Sequence, residues 1–108
     1  MISIWVDDIR PCPNKDWASF NTVNDTLKFI RKKYKEGNSK FYLDLDHDAS
    51  DKFTPYGGDY INILNNLEAY IANGHMKNLD IICHFHSGNS VGIQNMRAIV
   101  EHNHWREI

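Results

Sequence analysis

The feature that most constrains the fold of this chain is a short apolar run that begins at Phe41 and ends in carboxylates around a histidine, Asp46-His47-Asp48. Aromatic and branched residues over so short a length predict a β-strand. Charged side chains are not buried without partners or a metal. The strand is therefore expected to run through the interior and to reach the surface at its acidic end.

The same pattern occurs twice more in the chain. Residues 2–6 are mostly apolar and run into the pair Asp7-Asp8, and residues 79–85, which are also mostly apolar, run into His86. Three apolar strands that each end in ionisable groups are typical of an open parallel sheet, with its site at the carboxyl ends of the strands.

Segments of helical periodicity separate these strands. Residues 23–34 carry apolar side chains at near-helical spacing, and Thr22 or Asn24 is the expected cap. A second helix is expected from Asp59, as its cap or first-turn acid, to about Ala72. A third helix precedes the end of the chain.

Two further stretches complete the pattern. Aromatic residues alone favour a short second strand over residues 17–20. Residues 49–58 contain Thr54, Pro55 and two glycines, and they predict an irregular loop placed above the carboxylates as a possible lid. Strands that alternate with helices predict an α/β domain, and right-handed crossovers are expected to place helices on both faces of the sheet.

Composition limits the class of protein. The chain has 108 residues, enough for one domain, and its formal net charge of −2 gives no basic surface for extended nucleic acid. No segment has the apolar length of a membrane span, and the start lacks the order of a signal peptide. Cys12 and Cys83 have no zinc-type spacing. We expect a single cytoplasmic domain over residues 1–108, with its oligomeric state left open.

Carboxylates at two strand ends are the strongest indication of chemistry. Neighbouring parallel strands lie ~4.8 Å apart, so Asp7 and Asp8 after the first strand and Asp46 after the central strand come within reach of one cation. Carboxylate oxygens, carbonyls and waters make a hard site of the magnesium type. Each aspartate alone is better explained as a turn or loop residue, but the set predicts a divalent cation site.

Histidines form a second group. His47 lies between two aspartates and His86 lies at a strand end, where a histidine can act as a base, an acid or a metal ligand. A structural histidine that bonds a loop carbonyl is the alternative for both. For His84, inside the strand, that structural interpretation is preferred.

The segment after the last strand is suited to phosphate. Ser87, Asn89 and the neighbouring glycines supply hydroxyl, amide and backbone N–H groups just before a helix, whose positive end favours an anion. The same residues are also ordinary loop and capping chemistry. Arg10 either clamps a phosphate with its bidentate fork or pairs with an aspartate.

Four blocks of sequence together resemble one known family. They are Trp5-Val6-Asp7-Asp8-Ile9-Arg10-Pro11, Leu45-Asp46-His47-Asp48, Gly58-Asp59-Tyr60, and His86-Ser87-Gly88-Asn89-Ser90-Val91-Gly92 with Asn95-Met96. In this order they cover nearly the whole chain and resemble the cyclic-phosphate processing receiver domain, a shortened relative of the response-regulator receiver.

The resemblance implies a small three-layer, flavodoxin-like α/β domain with a short parallel sheet of about four strands and three helices. In ordinary receivers an acidic pair and a later aspartate bind magnesium, and that aspartate accepts phosphate. The matching residues here are Asp7, Asp8 and Asp46, which implies Mg²⁺ as the divalent cation. Ser87 matches the receiver hydroxyl residue that contacts the phosphoryl group.

The chain also departs from ordinary receivers. After Ser87 only one helix precedes the end, so the fifth strand and the receiver lysine are expected to be absent. A proline loop replaces the helix that usually follows the first strand. His47 and His86 stand where ordinary receivers have no histidine, and Ser90 stands where a proline is common within the family.

Three functions are consistent with these features. The first is a metal-assisted phosphoesterase, a phosphoric ester hydrolase that opens a small cyclic nucleotide or the 2′,3′-cyclic phosphate end of an RNA. The alternatives are a non-catalytic module that binds a phosphate ligand or a protein, and a switch phosphorylated on Asp46, which the missing lysine disfavours. For the enzyme, the predicted residues are Asp46, His47 and His86 in catalysis, Arg10, Ser87 and Asn89 on the substrate, and Asp7, Asp8 and Asp46 on the metal.

Overall fold

The computed structural model describes all 108 residues of the chain. It contains five strands, three α-helices and one 3-10 turn at Thr54–Tyr56. The strands are β1 (Ile2–Val6), β2 (Ala18–Phe20), β3 (Lys40–Leu45), β4 (Asp80–Phe85) and β5 (Arg106–Glu107), and the helices are α1 (Val23–Lys35), α2 (Ile61–Ala72) and α3 (Ser90–His102).

The strands form one parallel sheet in the order β2-β1-β3-β4-β5. This is the strand order of the flavodoxin-like folds, in which the chain leaves β1 in one direction and returns to its other side as β3. Ligands in such sheets bind outside the carboxyl ends of the strands at this switch point. The register pairs Val6 of β1 with Leu45 of β3, so these two strands end side by side.

The sheet has a fifth strand, and the expectation of about four strands without a fifth is wrong. Arg106 and Glu107 pair in parallel with Ile82 and Cys83 of β4. Two polar residues after a helix carry no apolar alternation, so periodicity could not reveal this strand. Its position is held by tertiary contacts: two guanidinium nitrogens of Arg97 on α3, Nε and Nη2, donate to the Glu107 carboxylate at 2.6 and 2.8 Å.

All three helices lie on one face of the sheet, so the expected three-layer arrangement with helices on both faces is also wrong. Each helix crosses between parallel strands in the same direction, from β2 towards β5, and right-handed crossovers in one direction share a face. The single connection in the opposite direction, from β1 to β2, contains no helix. The domain therefore has two layers, with α2 in contact with both α1 and α3.

The hydrophobic core lies between the helices and alternate residues of the central strands. It is one cluster of 19 buried residues. Because side chains alternate along a strand, the other residues of β1 and β3 point to the face without helices. Trp5 and Asp44 are neighbours on that face, and Trp17 of the β1–β2 loop packs edge-on against Tyr42 there, with ring centroids 5.3 Å apart. The core strand residues are Ile4, Val6, Phe41, Leu43, Leu45, Ile81, Cys83 and Phe85.

The helix starts agree with the sequence in one case and differ in another. Thr22 caps α1 through its hydroxyl, which accepts a hydrogen bond from the backbone N–H of Asp25 at 3.1 Å. Asp59 does not cap α2, which starts after Tyr60 without any side-chain cap. The Asp59 carboxylate instead accepts the backbone N–H of Ala49 at 2.9 Å, because the loop before α2 turns back over the sheet. None of the helices combines the length and apolar character that crossing a membrane requires.

Candidate functional site

Three carboxylates meet where β1 and β3 end. Asp7 and Asp8 follow β1, Asp46 follows β3, and one oxygen of each lies within 4.8 Å of one oxygen of the other two. The backbone N–H of Asp46 also bonds the carbonyl of Val6 at 3.0 Å, which extends the ladder to the site. The sheet therefore brings together the three residues predicted as metal ligands.

Backbone groups hold Asp7 in place. Its side chain is almost fully buried, and one carboxylate oxygen accepts the N–H groups of Ile9 and Arg10 at 2.8 and 2.9 Å. Burial alone would raise the pKa of Asp7, but these backbone hydrogen bonds, together with the contact to His86, lower the pKa below its ordinary value of 3.8. Asp7 is therefore ionised at neutral pH.

The other two carboxylates are fixed by the loop that follows β3. Asp8 accepts the backbone N–H of Ser50 at 2.8 Å, and Asp46 accepts the backbone N–H of His47 at 2.8 Å. The segment over residues 49–58, expected as a possible lid, is thus tied to the acidic cluster at its first residues.

The cluster fits a divalent cation. Ionised carboxylates are acceptors only, and three of them together repel one another unless positive charge lies between them. No lysine or arginine forms an ion pair with Asp7, Asp8 or Asp46, and His86 on Asp7 is the only cationic partner of the set. A hard, oxygen-only donor set with this surplus of negative charge suits Mg²⁺.

His86 is enclosed between two carboxylates and an indole. Its Nδ1 lies 2.6 Å from Asp44 and its Nε2 lies 2.8 Å from Asp7. The imidazole stacks flat on Trp5, with ring centroids 4.0 Å apart and an interplanar angle of 1°. The side chain is only 11% exposed.

These contacts make His86 a cation. Ionised carboxylate oxygens only accept hydrogen bonds, so both ring nitrogens of His86 donate when Asp7 and Asp44 are ionised, and an imidazole that donates from both nitrogens is an imidazolium. Burial would lower the pKa of His86, but the hydrogen bonds to Asp44 and Asp7 outweigh it and raise the pKa above its ordinary value of 6.5. Neither nitrogen is left for a ligand while both bonds are made.

Asp44 is a member of the site to which the sequence assigned no role. It is 6% exposed and is the next-to-last residue of β3, where its carboxylate bonds His86 and accepts the Tyr42 hydroxyl, the latter at 3.3 Å. Burial, followed by the charge of Asp44, raises the pKa of Tyr42 to about 12. A charged residue inside an apolar strand needs a buried partner, and this requirement could have indicated from the sequence that Asp44 belongs to the site. Naming His86 as the partner required the register of β3 against β4.

His47 has different surroundings. Its Nδ1 lies 2.8 Å from a carboxylate oxygen of Asp48, and its Nε2 has no hydrogen-bond partner in the protein. The hydrogen bond to His47 is the main cause that lowers the pKa of Asp48 below 3.8. An imidazole that donates from Nδ1 to a carboxylate presents Nε2 as an acceptor, the arrangement used by general bases.

The first turn of α3 fixes the position of the His47 ring. A Cβ added to Gly92 would lie 2.5 Å from the Cδ2 and Cγ atoms of His47, so only glycine permits this contact. The amide of Asn89 lies 3.3 Å from the Asp48 carboxylate and is the third group of this arrangement. His47 therefore lies between the carboxyl end of β3 and the first turn of α3.

The start of α3 carries the predicted phosphate-binding residues. Asn89 is the N-cap, and its side-chain oxygen accepts the N–H of Gly92 at 2.9 Å. The Ser87 hydroxyl accepts the N–H of Asn89 at 3.0 Å, which leaves its own proton free to be donated. Both residues therefore also perform the capping roles that were the alternative interpretation.

Arg10 and His84 have defined structural contacts. The Arg10 guanidinium donates to the carbonyl of His86 at 2.7 Å and forms no ion pair with an aspartate. The Arg10 carbonyl accepts the indole N–H of Trp5 at 3.0 Å, so Arg10 closes the loop over the buried His86. His84 is exposed and its Nδ1 lies 2.8 Å from the carbonyl of Ile108, in agreement with its structural interpretation.

The fold and the site together define a receiver-like α/β protein whose acidic cluster lies at the switch point of a flavodoxin-like sheet. Residues 2–102 match the family described as the cyclic-phosphate processing receiver domain. The chain belongs to this family, as its motifs predict, and membership fits a role in cyclic phosphate processing. Neither a curated protein nor a solved structure matches the chain significantly.

Proposed function

We propose that the chain is a phosphoric ester hydrolase that opens a cyclic phosphate with the help of a divalent cation. The observation that carries this proposal is the proximity of two different groups at one edge of the sheet. The acidic cluster, which suits a cation, follows β1 and β3. The His47–Asp48 pair, in which Nε2 of His47 has no partner, comes directly after Asp46 at the end of β3.

The residues Asp7, Asp8 and Asp46 would hold the cation. When bound, it would supply charge neutralisation for the phosphate oxygens and would acidify water. The role of the protein is to fix the three carboxylates, which it does through the backbone N–H groups of Ile9, Ser50 and His47.

His47 acts as the general base in this proposal. Its Nε2 takes a proton from water while the water oxygen forms a bond to phosphorus. The ring P–O bond on the opposite side breaks, and the ester oxygen that leaves takes up a proton from solvent, so that a phosphate monoester forms and His47 then returns its proton to solvent. Asp48 holds the ring and stabilises the imidazolium that results.

Groups at the start of α3 bind the phosphate oxygens. The free proton of Ser87 and the unpaired N–H groups of the first helical turn are donors on the side of His47. The Asn89 amide lies between Asp48 and this turn. Arg10 provides a cation at the edge of the β1–β2 loop, held by the carbonyl of His86.

His86 was predicted as the second proton carrier, and that role stays a prediction. It requires the ring to leave Asp7 or Asp44 before it reaches a ligand. The contacts support a positioning role instead, in which the imidazolium orients the Asp7 carboxylate towards the cation and balances part of its charge.

The proposal is tested by titrating Mg²⁺ or Mn²⁺ into the protein by calorimetry and by following the opening of adenosine 2′,3′-cyclic phosphate in the same buffers. Wild type should bind the cation and turn over only in its presence. The variants Asp46→Asn and Asp8→Asn should weaken cation binding by at least about tenfold, since even outer-shell changes cost that much.

Asp51→Asn is the matched control, because Asp51 is an exposed aspartate of the neighbouring loop. Its cation affinity should equal that of wild type. Absence of binding at millimolar metal, or binding that Asp46→Asn leaves unchanged, would contradict the proposed cation site. Binding of the cyclic phosphate without turnover would favour the non-catalytic module.

A further inference from the structure

A cavity of about 320 Å³ lies between the first turn of α1 and the loop over residues 49–58. This volume is at the lower end of the range for small-molecule sites. Its walls combine one cation, two aromatic rings and several polar groups. The lining residues are Thr22, Asn24, Asp25, Lys52, Phe53 and Tyr56.

Both walls of the cavity continue from residues that contact the acidic cluster. On the helix side, the Asn21 amide donates to the carbonyl of Asp7 at 3.0 Å, and Thr22 is the next residue. On the loop side, the N–H of Ser50 donates to Asp8, and the first lining residue follows two positions later. A ligand whose phosphate lies at the cluster can therefore extend into the cavity.

The aromatic residues of the cavity do not serve the core. Phe53 is half-buried and Tyr56 is 56% exposed, and neither belongs to the hydrophobic cluster or packs against it. The Lys52 ammonium lies 5.5 Å from the centroid of the Phe53 ring. Packing in the core therefore does not explain why two aromatic rings lie on this short loop.

The loop is fixed against α1 by a close approach of backbone. Gly57 has φ +114°, and a Cβ there would lie 2.7 Å from the side chains of Asn24 and Val23. Only glycine allows both this φ and this contact. The cavity wall is thus set by the fold, and the Asn24 amide, which carries donors and an acceptor, stands at its rim.

We propose that this cavity binds the nucleobase of a cyclic mononucleotide whose phosphate lies at the acidic cluster. The proposal rests on the proposed function and names its substrate class. Phe53 and Tyr56 supply rings for base stacking, and Asn24 supplies hydrogen bonds to the edge of the base. A cation beside aromatic faces, as Lys52 provides, also favours an electron-rich base.

The charge of the surroundings favours a mononucleotide over an RNA end. Lys52 is the only cation among the lining residues, Asp25 opposes further phosphates, and the whole chain has a net charge of −2. Each additional phosphate of an oligonucleotide would need a basic contact that this surface does not supply.

The test compares ligands with and without a base. KM in Mg²⁺ is measured for adenosine 2′,3′-cyclic phosphate and for glycerol 1,2-cyclic phosphate, or Kd by calorimetry if no turnover occurs. In wild type the nucleotide should have the lower KM or Kd. Phe53→Ala and Tyr56→Ala should each raise it about tenfold for the nucleotide, the loss expected for one stacking contact, and leave the glycerol ligand unchanged.

Phe53→Tyr keeps the ring and is the conservative control, with values within about threefold of wild type, well below that stacking loss. Equal values for the two ligands in wild type, or a nucleotide value that neither alanine variant changes, would overturn the base pocket while the proposed function stands. If wild type neither binds nor opens either ligand, the proposed function fails and the pocket assignment fails with it. A dinucleotide ending in a 2′,3′-cyclic phosphate should be no better than the mononucleotide, and a clear preference for it would overturn the assignment to a mononucleotide.

Discussion

His47 and His86 follow neighbouring strands of the same sheet, yet the two regions around them differ in one decisive respect. Both nitrogens of His86 face carboxylates, those of Asp44 and Asp7, and its ring is covered by Trp5. His47 has one nitrogen on the exposed carboxylate of Asp48 and the other without a protein partner.

The difference shows that the inventory of hydrogen bonds, rather than residue type or distance from the acidic cluster, separates the two roles. A histidine with both nitrogens bonded to ionised carboxylates is held as a cation and can orient its partners. A histidine with one free nitrogen can exchange a proton with a ligand. Each of the following changes affects one of these regions and should leave the other intact.

The largest expected effect is on turnover in His47→Ala. Removal of the proposed general base should lower the rate of ring opening by ~10²–10⁴-fold, while the circular dichroism spectrum and the unfolding midpoint stay close to wild type. His75→Ala is the control, because His75 is exposed and lies before β4, at the opposite end of the sheet. A folded His47→Ala protein with a rate within about threefold of wild type, well short of that range, would remove His47 from catalysis.

The second change, His86→Gln, should act mainly on stability. It leaves the carboxylates of Asp7 and Asp44 buried without their cation, and breaking a buried ion pair typically costs ~3–5 kcal/mol. Urea unfolding measures the loss. His84→Gln, two positions earlier in β4 and at an exposed residue, should cost less than about 1 kcal/mol. Equal stabilities of His86→Gln and wild type would show that the buried pair has no such structural role.

The third change, Gly92→Ala, tests the packing under His47. The added Cβ would meet the His47 ring, so the ring must move, and a displacement of about 1 Å can lower the rate by up to ~10²-fold. Alanine otherwise favours a helix over glycine by about 1 kcal/mol, so a large loss of stability is not expected.

The matched variant is Gly88→Ala, whose added Cβ would meet nothing within 4 Å. Its rate should stay at the wild-type level. If Gly92→Ala turns over as fast as Gly88→Ala, the contact between α3 and His47 does not position the base.

The smallest expected effect is the dependence of stability on pH in the presence of a chelator. The folded pKa of His86 is raised above 6.5, so the folded state binds this proton more tightly than the unfolded state does. Its contribution to the free energy of unfolding is therefore complete below pH 6.5 and declines as the pH rises through the folded pKa. The difference between wild type and His86→Gln should shrink over that range.

Asp7 should act in the opposite direction at low pH. Its folded pKa lies below 3.8, so its contribution is present above that value and is lost as the pH falls through the folded pKa. A difference between wild type and His86→Gln that does not decline as the pH is raised from 6.5 until wild type itself unfolds would contradict the buried imidazolium.

Most of the fold could be predicted from local patterns. The apolar run over residues 2–6 predicted β1 with its observed bounds, and Thr22, one of the two expected caps, is the cap of α1. β5 was missed because Arg106 and Glu107 become a strand only by pairing with β4. The two-layer arrangement depends on the direction of each crossover along the sheet, which requires the strand order.

The candidate site could be predicted in part. Motifs placed Asp7, Asp8 and Asp46 at strand ends, and the structure brings them together. The partnership of Asp44 with His86 escaped because it depends on the register of two strands. Local sequence therefore predicts which residues follow the end of a strand. Tertiary contacts decide which of their atoms have no protein partner and can contact a ligand.

The most direct test of the whole account is the fate of adenosine 2′,3′-cyclic phosphate, followed by phosphorus NMR with wild type in Mg²⁺ and in chelator. The account predicts that the cyclic phosphate resonance is replaced by that of a monoester in Mg²⁺ alone, and that His47→Ala slows this conversion while it still binds the cation. A resonance that stays unchanged with saturating protein and Mg²⁺, or that converts equally fast in chelator, would contradict it.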